Sequence, residues 1–335
     1  MIDRLEVRWF KSLKNISIEC RRVNVFIGEP NTGKSNLVEV IGVLSHVANT
    51  RRELRNFVRF RDMTDLFFDK DTSRPIEIVA GSLSIMLKRD GSTFCIMAKT
   101  NGDWRMLREY EFDGSMRIPI PSLGSEHDIL PKFEVFRMYR FRLLAKYESL
   151  GQNYLEPPDG RNLLELLLTN PRLRKVFRDV LENYGYRLVL REFEGVIEVV
   201  RELEDGTLLS LPLHVVSETL YRLLMHLAAI ETSRGAVIAF EEPEIHSYPY
   251  FSRYLAERIA RDPSNQYFIT THSPYVLLTL IEKTPLRELT VNIVYMENHE
   301  TKIKQLTEDE IQEMLDLDYD ALLNLSKFLE KARRG

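Results

Sequence analysis

One stretch constrains this chain more than any other: Gly28-Glu29-Pro30-Asn31-Thr32-Gly33-Lys34-Ser35. It satisfies, at every required position, the pattern of two glycines with four residues between them followed by lysine and a hydroxyl residue. The setting agrees. The apolar run 23–27 reads as a strand leading in, and Leu37, Val38, Ile41, Leu44 and Val47 form one face of a helix leading out. Such a turn curls backbone N–H groups around phosphate oxygens, and the helix N-terminus adds a favourable dipole. Gly28, Asn31, Thr32 and Gly33 would make the cradle, Lys34 would reach the β- and γ-phosphates, and the Ser35 hydroxyl would ligate Mg2+.

A second motif lies in the C-terminal half. Ala236-Val237-Ile238-Ala239-Phe240 is an unbroken apolar run that ends in Glu241-Glu242-Pro243-Glu244. Ligands of open α/β sheets bind beyond the carboxyl ends of the strands, so this run would deliver its carboxylates to the phosphates. Glu241 is the candidate to hold Mg2+, directly or through water, and Glu242 to orient and deprotonate an attacking water. Acidic residues after a strand are often merely solvated; the phosphate loop is what singles these out.

The remaining pattern predicts an α/β fold with a mixed, mainly parallel sheet, an antiparallel β subdomain and a helical lobe. Strands are expected at 2–7, 16–19 and 23–27, then a meander at 82–88, 92–98 and 104–112 turned by Asp90-Gly91 and Asn101-Gly102. Residues 133–143 read as extended. Asn170-Pro171 opens a helix with Asn as cap and Pro in the first turn, and Asn183-Tyr184-Gly185 closes it. Strands at 186–192, 196–203 and 207–213 lead to a helix near 218–231, a strand at 236–240, a helix near 250–260 and a strand at 266–270. A hairpin at 289–306 and two acidic helices follow, the first opened by a capping box of Thr307 and Glu310. The expected blocks are 1–130, the N-terminal core with the β subdomain; 131–185, the helical lobe; 186–306, the C-terminal core; and 307–335, a helical tail.

Motif order and spacing from about residue 2 to 276 resemble the ABC-type P-loop ATPases of the SMC-like and OLD-like group. Arg8-Trp9-Phe10-Lys11-Ser12-Leu13 is similar to their entry segment, Glu241-Glu242-Pro243-Glu244-Ile245-His246 to their second carboxylate motif, and Thr270-Thr271-His272-Ser273-Pro274 to their switch-histidine segment. The resemblance implies ATP with Mg2+ as ligands, ATP hydrolysis, which the departures below would make slow, and an ATP-dependent head-to-tail homodimer. It makes His272 the contact that reports the γ-phosphate, the alternative being a histidine that fills a loop. It puts His246 near the partner subunit, and Lys11 and Ser12 near the nucleotide, although a plain surface turn explains these three as well. Ser217, in Val216-Ser217-Glu218-Thr219-Leu220, would be presented in trans to the partner's γ-phosphate; equally it is a helix cap.

Two departures stand out. Thr219 replaces the glycine of the signature, placing a side chain where phosphate should approach. The Mg2+-sensing glutamine of the group is absent, since no glutamine occurs between Ser35 and Gln152, with Asp65 a conjectural substitute. Three basic patches offer a phosphate-contacting surface for DNA or else plain solvated faces: Arg51, Arg52, Arg55, Arg59 and Arg61; Arg137, Arg140, Arg142 and Lys146; and Arg172, Arg174, Lys175 and Arg178. Relatives with a fused nuclease carry it after the switch histidine, where about sixty residues remain here, so a nuclease or other effector would be a separate partner. The tail carboxylates read as solvated helix faces.

Composition narrows the setting. Lys and Arg total 46 against 50 for Asp and Glu, a net charge of -4, so no strong basic field demands nucleic acid. Two cysteines, Cys20 and Cys95, are too few for a disulfide framework. The start is charged and no long apolar run occurs, which predicts a cytoplasmic protein without a membrane span. The alternative to the dimeric ATPase is a nucleotide-sensing scaffold that binds a partner protein and scarcely turns over; a transporter's ATPase subunit ranks below both.

Overall fold

The computed structural model describes residues 1–49, 52–100, 102–117 and 129–334. Arg51 and Asn101, singled out above, lie outside them. The chain begins with β1 (Arg4–Phe10), β2 (Leu13–Glu19), β3 (Val23–Ile27) and α1 (Lys34–Ala48). A meander follows: β4 (Ile76–Ala80), β5 (Leu83–Asp90), β6 (Thr93–Thr100), β7 (Asp103–Tyr110) and β8 (Met116–Arg117). The middle holds β9 (Phe136–Tyr139), α2 (Leu163–Thr169), α3 (Pro171–Glu182), β10 (Arg187–Arg191), β11 (Val196–Glu202) and β12 (Leu208–Pro212). Then come α4 (Leu213–Val216), α5 (Glu218–Thr232), β13 (Val237–Glu241), α6 (Pro249–Arg261), β14 (Gln266–Thr270) and α7 (Pro274–Lys283). The hairpin β15 (Leu289–Glu297) and β16 (Glu300–Gln305) leads to α8 (Glu308–Asp316) and α9 (Leu325–Arg334).

Among the described residues the strands form three sheets. The sheet that carries the site has the order β16-β15-β3-β14-β13-β9. Its strands β15, β3, β14, β13 and β9 are parallel, and β16 closes one edge antiparallel. Parallel strands covered on both faces should be apolar throughout, and every residue of β3 and β14 is buried. Alternate residues feed two cores. Tyr267 and Ile269 face the helices α5, α6 and α7, while Phe268 faces α1 and the antiparallel sheet. α1 is therefore sandwiched between two sheets, which explains why nearly its whole surface is buried.

Three features of the strand pairing go beyond the local pattern. β1 and β2 extend the meander into one antiparallel sheet of order β2-β1-β4-β5-β6-β7-β8. The 133–143 segment is extended only over Phe136–Tyr139, and this strand, from the span read as helical lobe, is an edge of the central sheet beside β13. Strands β10, β11 and β12 stand apart as their own antiparallel sheet. Strand pairing across long sequence separations is set by tertiary packing, which local patterns do not encode. The local signals fared better. The Asn170 side chain accepts from the N–H groups of Arg172 and Leu173, and Thr307 and Glu310 form a complete capping box.

Two histidines are buried in these cores. His46 shares a 2.7 Å hydrogen bond with the Tyr110 hydroxyl, and His226 packs against Phe141 and Phe240 while its Nδ1 lies 2.7 Å from the Arg222 carbonyl. Burial pushes their pKa values down from 6.5, to about 3 and about 4. The unfolded chain then binds more protons than the folded one as pH drops below about 6.5, so stability is full above that pH and lost on acidification. Each imidazole contributes up to about 1.4 kcal/mol per pH unit within its window. The thermal midpoint should fall from pH 7 to pH 5, and less so in His226→Gln; equal shifts in both proteins would count against this account.

Candidate nucleotide-binding site

The glycine loop connects β3 to α1, and its backbone shows why glycine is needed. Gly28 and Gly33 have φ of 153° and 95°, and Asn31 adopts 62°, in the left-handed region that asparagine tolerates. A Cβ on Gly28 would collide with the Val294 carbonyl oxygen, and one on Gly33 with the Thr301 hydroxyl. Thr301 Oγ1 donates to the Thr32 carbonyl (2.9 Å) and lies 2.7 Å from Ser12 Oγ, which accepts from Asn36 Nδ2 (2.8 Å). The turn before β2 and the β15–β16 hairpin thus brace the loop from two sides.

Lys34 Nζ donates to the carbonyls of Gly28 (2.9 Å) and Glu29 (2.6 Å). Burial lowers its pKa, with Glu242 and Glu29 opposing. The Ser35 hydroxyl hydrogen-bonds the Glu241 carboxylate at the end of β13. Glu242 follows with φ of 44°, its N–H donating to the Thr270 carbonyl at 3.0 Å, which ties the end of β13 to the end of β14. That tie brings Glu242 Oε1 to 3.4 Å from His272 Nε2. Burial and the Lys34 ammonium push the His272 pKa down against Glu242, which favours the neutral imidazole at pH 7. Asn31, Thr32, Gly33, Lys34, Ser35, Glu242 and His272 all line one cleft of about 420 Å³.

Four further residues shape the site that the sequence pattern did not place there. Glu39, fully buried in α1, pairs with Lys11, with Arg59 Nε (2.9 Å) and with Arg140 Nη2 (3.3 Å). The same guanidiniums hold Glu241: Arg59 Nη2 reaches Oε1 at 2.7 Å and Arg140 Nη2 reaches Oε2 at 2.9 Å. Burial alone would raise the Glu241 pKa, yet Arg140, Ser35 and Arg59 outweigh it and hold the carboxyl below its usual range. Glu244 is the fourth; its Oε1 accepts from Thr271 Oγ1 (2.8 Å) and the His272 N–H (2.7 Å). A lone carboxylate among Leu37, Val38, Val40 and Ile41 was the available sign for Glu39.

Other residues have partners within the chain. Ser217 caps α5, one of its two expected readings, accepting from the Leu220 N–H at 3.3 Å. The Thr219 hydroxyl donates to the carbonyl of His246, so the residue in the glycine's place links α5 to the loop after Glu242 within the same chain. Asp65 is engaged by Arg61 and Lys70, whose bonds hold its carboxyl far below the usual range. Among the described members of the basic patches only Arg52 and Arg137 are buried, most of the others are exposed, and several have partners within the chain. Arg52 pairs with Asp159, Arg55 donates to the carbonyls of Phe60 and Arg61, Arg137 donates to Ser233, and Arg174 donates to the Leu167 and Leu168 carbonyls. Arg52 and Asp159 are both buried, at 2.8 Å. Arg52→Ala should therefore destabilise the fold by about 3 kcal/mol, low in the range for a broken buried pair because Arg161 also reaches Asp159. Denaturant titration checks this, and a loss within the scatter of surface substitutions would refute it.

The residues present fit a triphosphate and its metal. Two positive-φ glycines leave a cradle that a Cβ would fill, and Ser35 with Glu241 are the hard oxygen donors Mg2+ takes alongside phosphate and water. Residues 106–278, just over half the chain, match the family model described as "AAA domain, putative AbiEii toxin, Type IV TA system". The chain belongs to that family. The match begins after the glycine loop but takes in Glu241, Glu242 and His272. Among solved structures, this AAA-domain protein is similar to an Smc head bound to the C-terminal winged-helix domain of ScpA. The identity is 13% and the TM-score 0.55, over 93% of this chain and 99% of that one. It is also similar to an Smc head with an extended coiled coil, bound to the C-terminal domain of ScpA from Pyrococcus furiosus. There the identity is 13% and the TM-score 0.53, over 94% and 98% of the two chains. No curated protein matches the sequence. The fold is that of an ABC-type P-loop ATPase head, and among the described residues no helix is long and apolar enough to cross a membrane.

Proposed function

We propose that this AAA-domain protein binds ATP with Mg2+ and hydrolyses it slowly, acting as an ATP-gated homodimer. The observation that carries the reading is the single cleft that gathers Lys34, Ser35, Glu242 and His272 from three elements far apart in sequence. Lys34 exchanges its loop carbonyls for the β- and γ-phosphates, and the N–H groups of Asn31, Thr32 and Gly33 hold the remaining oxygens. Ser35 and Glu241 hold Mg2+, which when bound neutralises charge on the phosphates. Glu242 takes the proton of the attacking water. His272, held by Glu244 and neutral, donates from its imidazole to the γ-phosphate.

Ser217 contributes in trans, and ATP closes two subunits head to tail around a pair of nucleotides. The family description names a toxin of a Type IV TA system, which favours a role in defence, in a cytoplasmic setting, over DNA maintenance. A separate effector, a nuclease among the choices, receives the motion. The competing reading is a nucleotide-sensing scaffold with little turnover; the Thr219–His246 bond favours it, because it occupies the signature position within one chain. Light scattering with Mg2+ and a non-hydrolysable ATP analogue separates the two. A doubling of mass supports the gated dimer, and a monomer that nonetheless binds the analogue supports the scaffold.

A further inference from the structure

Arg140 directly follows β9, the strand paired in parallel with β13, and its guanidinium reaches Glu241 at the end of β13. It does not line the nucleotide cleft, whereas Arg59 does. Its Nη2 bridges two carboxylates, at 2.9 Å from Glu241 Oε2 and 3.3 Å from Glu39 Oε1. Lys11, Arg59 and Arg140 together put three positive charges against the two negative charges of Glu39 and Glu241. The cluster is thus cationic before any metal arrives. Both Glu241 oxygens accept from guanidinium, and one of them also has to serve Mg2+.

We infer that Arg140 is a positioning residue that competes with Mg2+ for Glu241 and so sets how strongly the metal tightens nucleotide binding. This rests on the reading of Ser35 and Glu241 as the metal-holding pair. A divalent cation at Glu241 must displace a charge-assisted hydrogen bond and sit beside a cluster already carrying excess positive charge. Removing Arg140 relieves both effects. It leaves no carboxylate unpartnered, because Glu39 keeps Lys11 and Arg59, and Glu241 keeps Arg59 and Ser35. The fold should tolerate the change, since an orphaned buried charge is what makes such substitutions disruptive.

The test is the ratio of ADP affinities measured by calorimetry with Mg2+ and with EDTA, in wild type and Arg140→Gln. A merely structural defect lowers both affinities alike and leaves their ratio where it was. Loss of one charge-assisted bond to Glu241 should raise the ratio by about tenfold. Arg140→Lys keeps a cation on a shorter side chain that holds Glu241 less closely, so its ratio should rise by a smaller factor of about three. That variant decides the matter if the glutamine protein does not fold. An unchanged or lowered ratio overturns the inference and means that Arg140 supports Glu241 for the metal or is structural only. Wild-type protein that binds no ADP under either condition removes the nucleotide reading itself, an outcome distinct from an unchanged ratio.

Discussion

Glu242→Gln is expected to cut ATP turnover by about 10²–10⁴-fold, the usual loss for a removed general base, while nucleotide binding persists. Glutamine has nearly the same shape, and it inherits the backbone that positions this residue. The φ of 44° and the N–H bond to the Thr270 carbonyl belong to the main chain and do not depend on the carboxylate. What disappears is the acceptor for the water proton and the negative charge 3.4 Å from His272 Nε2. Lys34, Ser35 and Glu241 still hold the triphosphate, so a closed dimer awaiting hydrolysis should persist. Phosphate release measures the first effect and light scattering with Mg2+-ATP the second. Equal turnover in mutant and wild type would exclude Glu242 as the base. Lost turnover without ATP-dependent association would exclude the head-to-tail dimer and favour the scaffold.

Lys34→Ala is the substitution with the largest expected effect on affinity. Lys34 is buried at the start of α1, and its ammonium holds two loop carbonyls when no phosphate competes. Charge-assisted hydrogen bonds are each worth about 1.5–3 kcal/mol, so two lost together predict at least about a hundredfold weaker ATP binding. The loop keeps its shape through Thr301, Ser12 and Asn36, which confines the loss to the ligand. Calorimetric titration with ATP checks the expectation, with circular dichroism to verify the fold. Undiminished affinity would refute the assignment of this loop to phosphate.

Much of this was legible from local sequence because the signals are local. The Gly28–Ser35 spacing, the apolar strand before Glu241 and the Asn170 cap each act within a few residues, and each appears in the structure where it was expected. The ion network was not legible. Arg59 and Arg140 read as members of basic patches, since nothing in their neighbourhood reveals a carboxylate that arrives from β13, 182 and 101 positions away. Glu39 drew no reading, because the second sheet that buries it cannot be foreseen from the helix alone. The same limit explains β9, a short apolar segment whose place beside β13 depends on the finished sheet.

The order of strands in the central sheet also governs how the chain can mature. β3, which delivers the phosphate loop, lies between β14 and β15, and its Asn24 side chain bonds the Tyr267 carbonyl across 243 positions of sequence. At synthesis rates of about 5–20 residues per second, the loop therefore waits roughly 10–50 s for the strands that will flank it. During that interval the antiparallel sheet of β1, β2 and β4 to β8 can assemble from largely sequential hairpins, while β3 remains an apolar strand with two open edges. A nascent chain stalled before β14 would carry every residue of the phosphate loop and still lack a nucleotide site. In this protein the first motif to be translated is among the last to become functional.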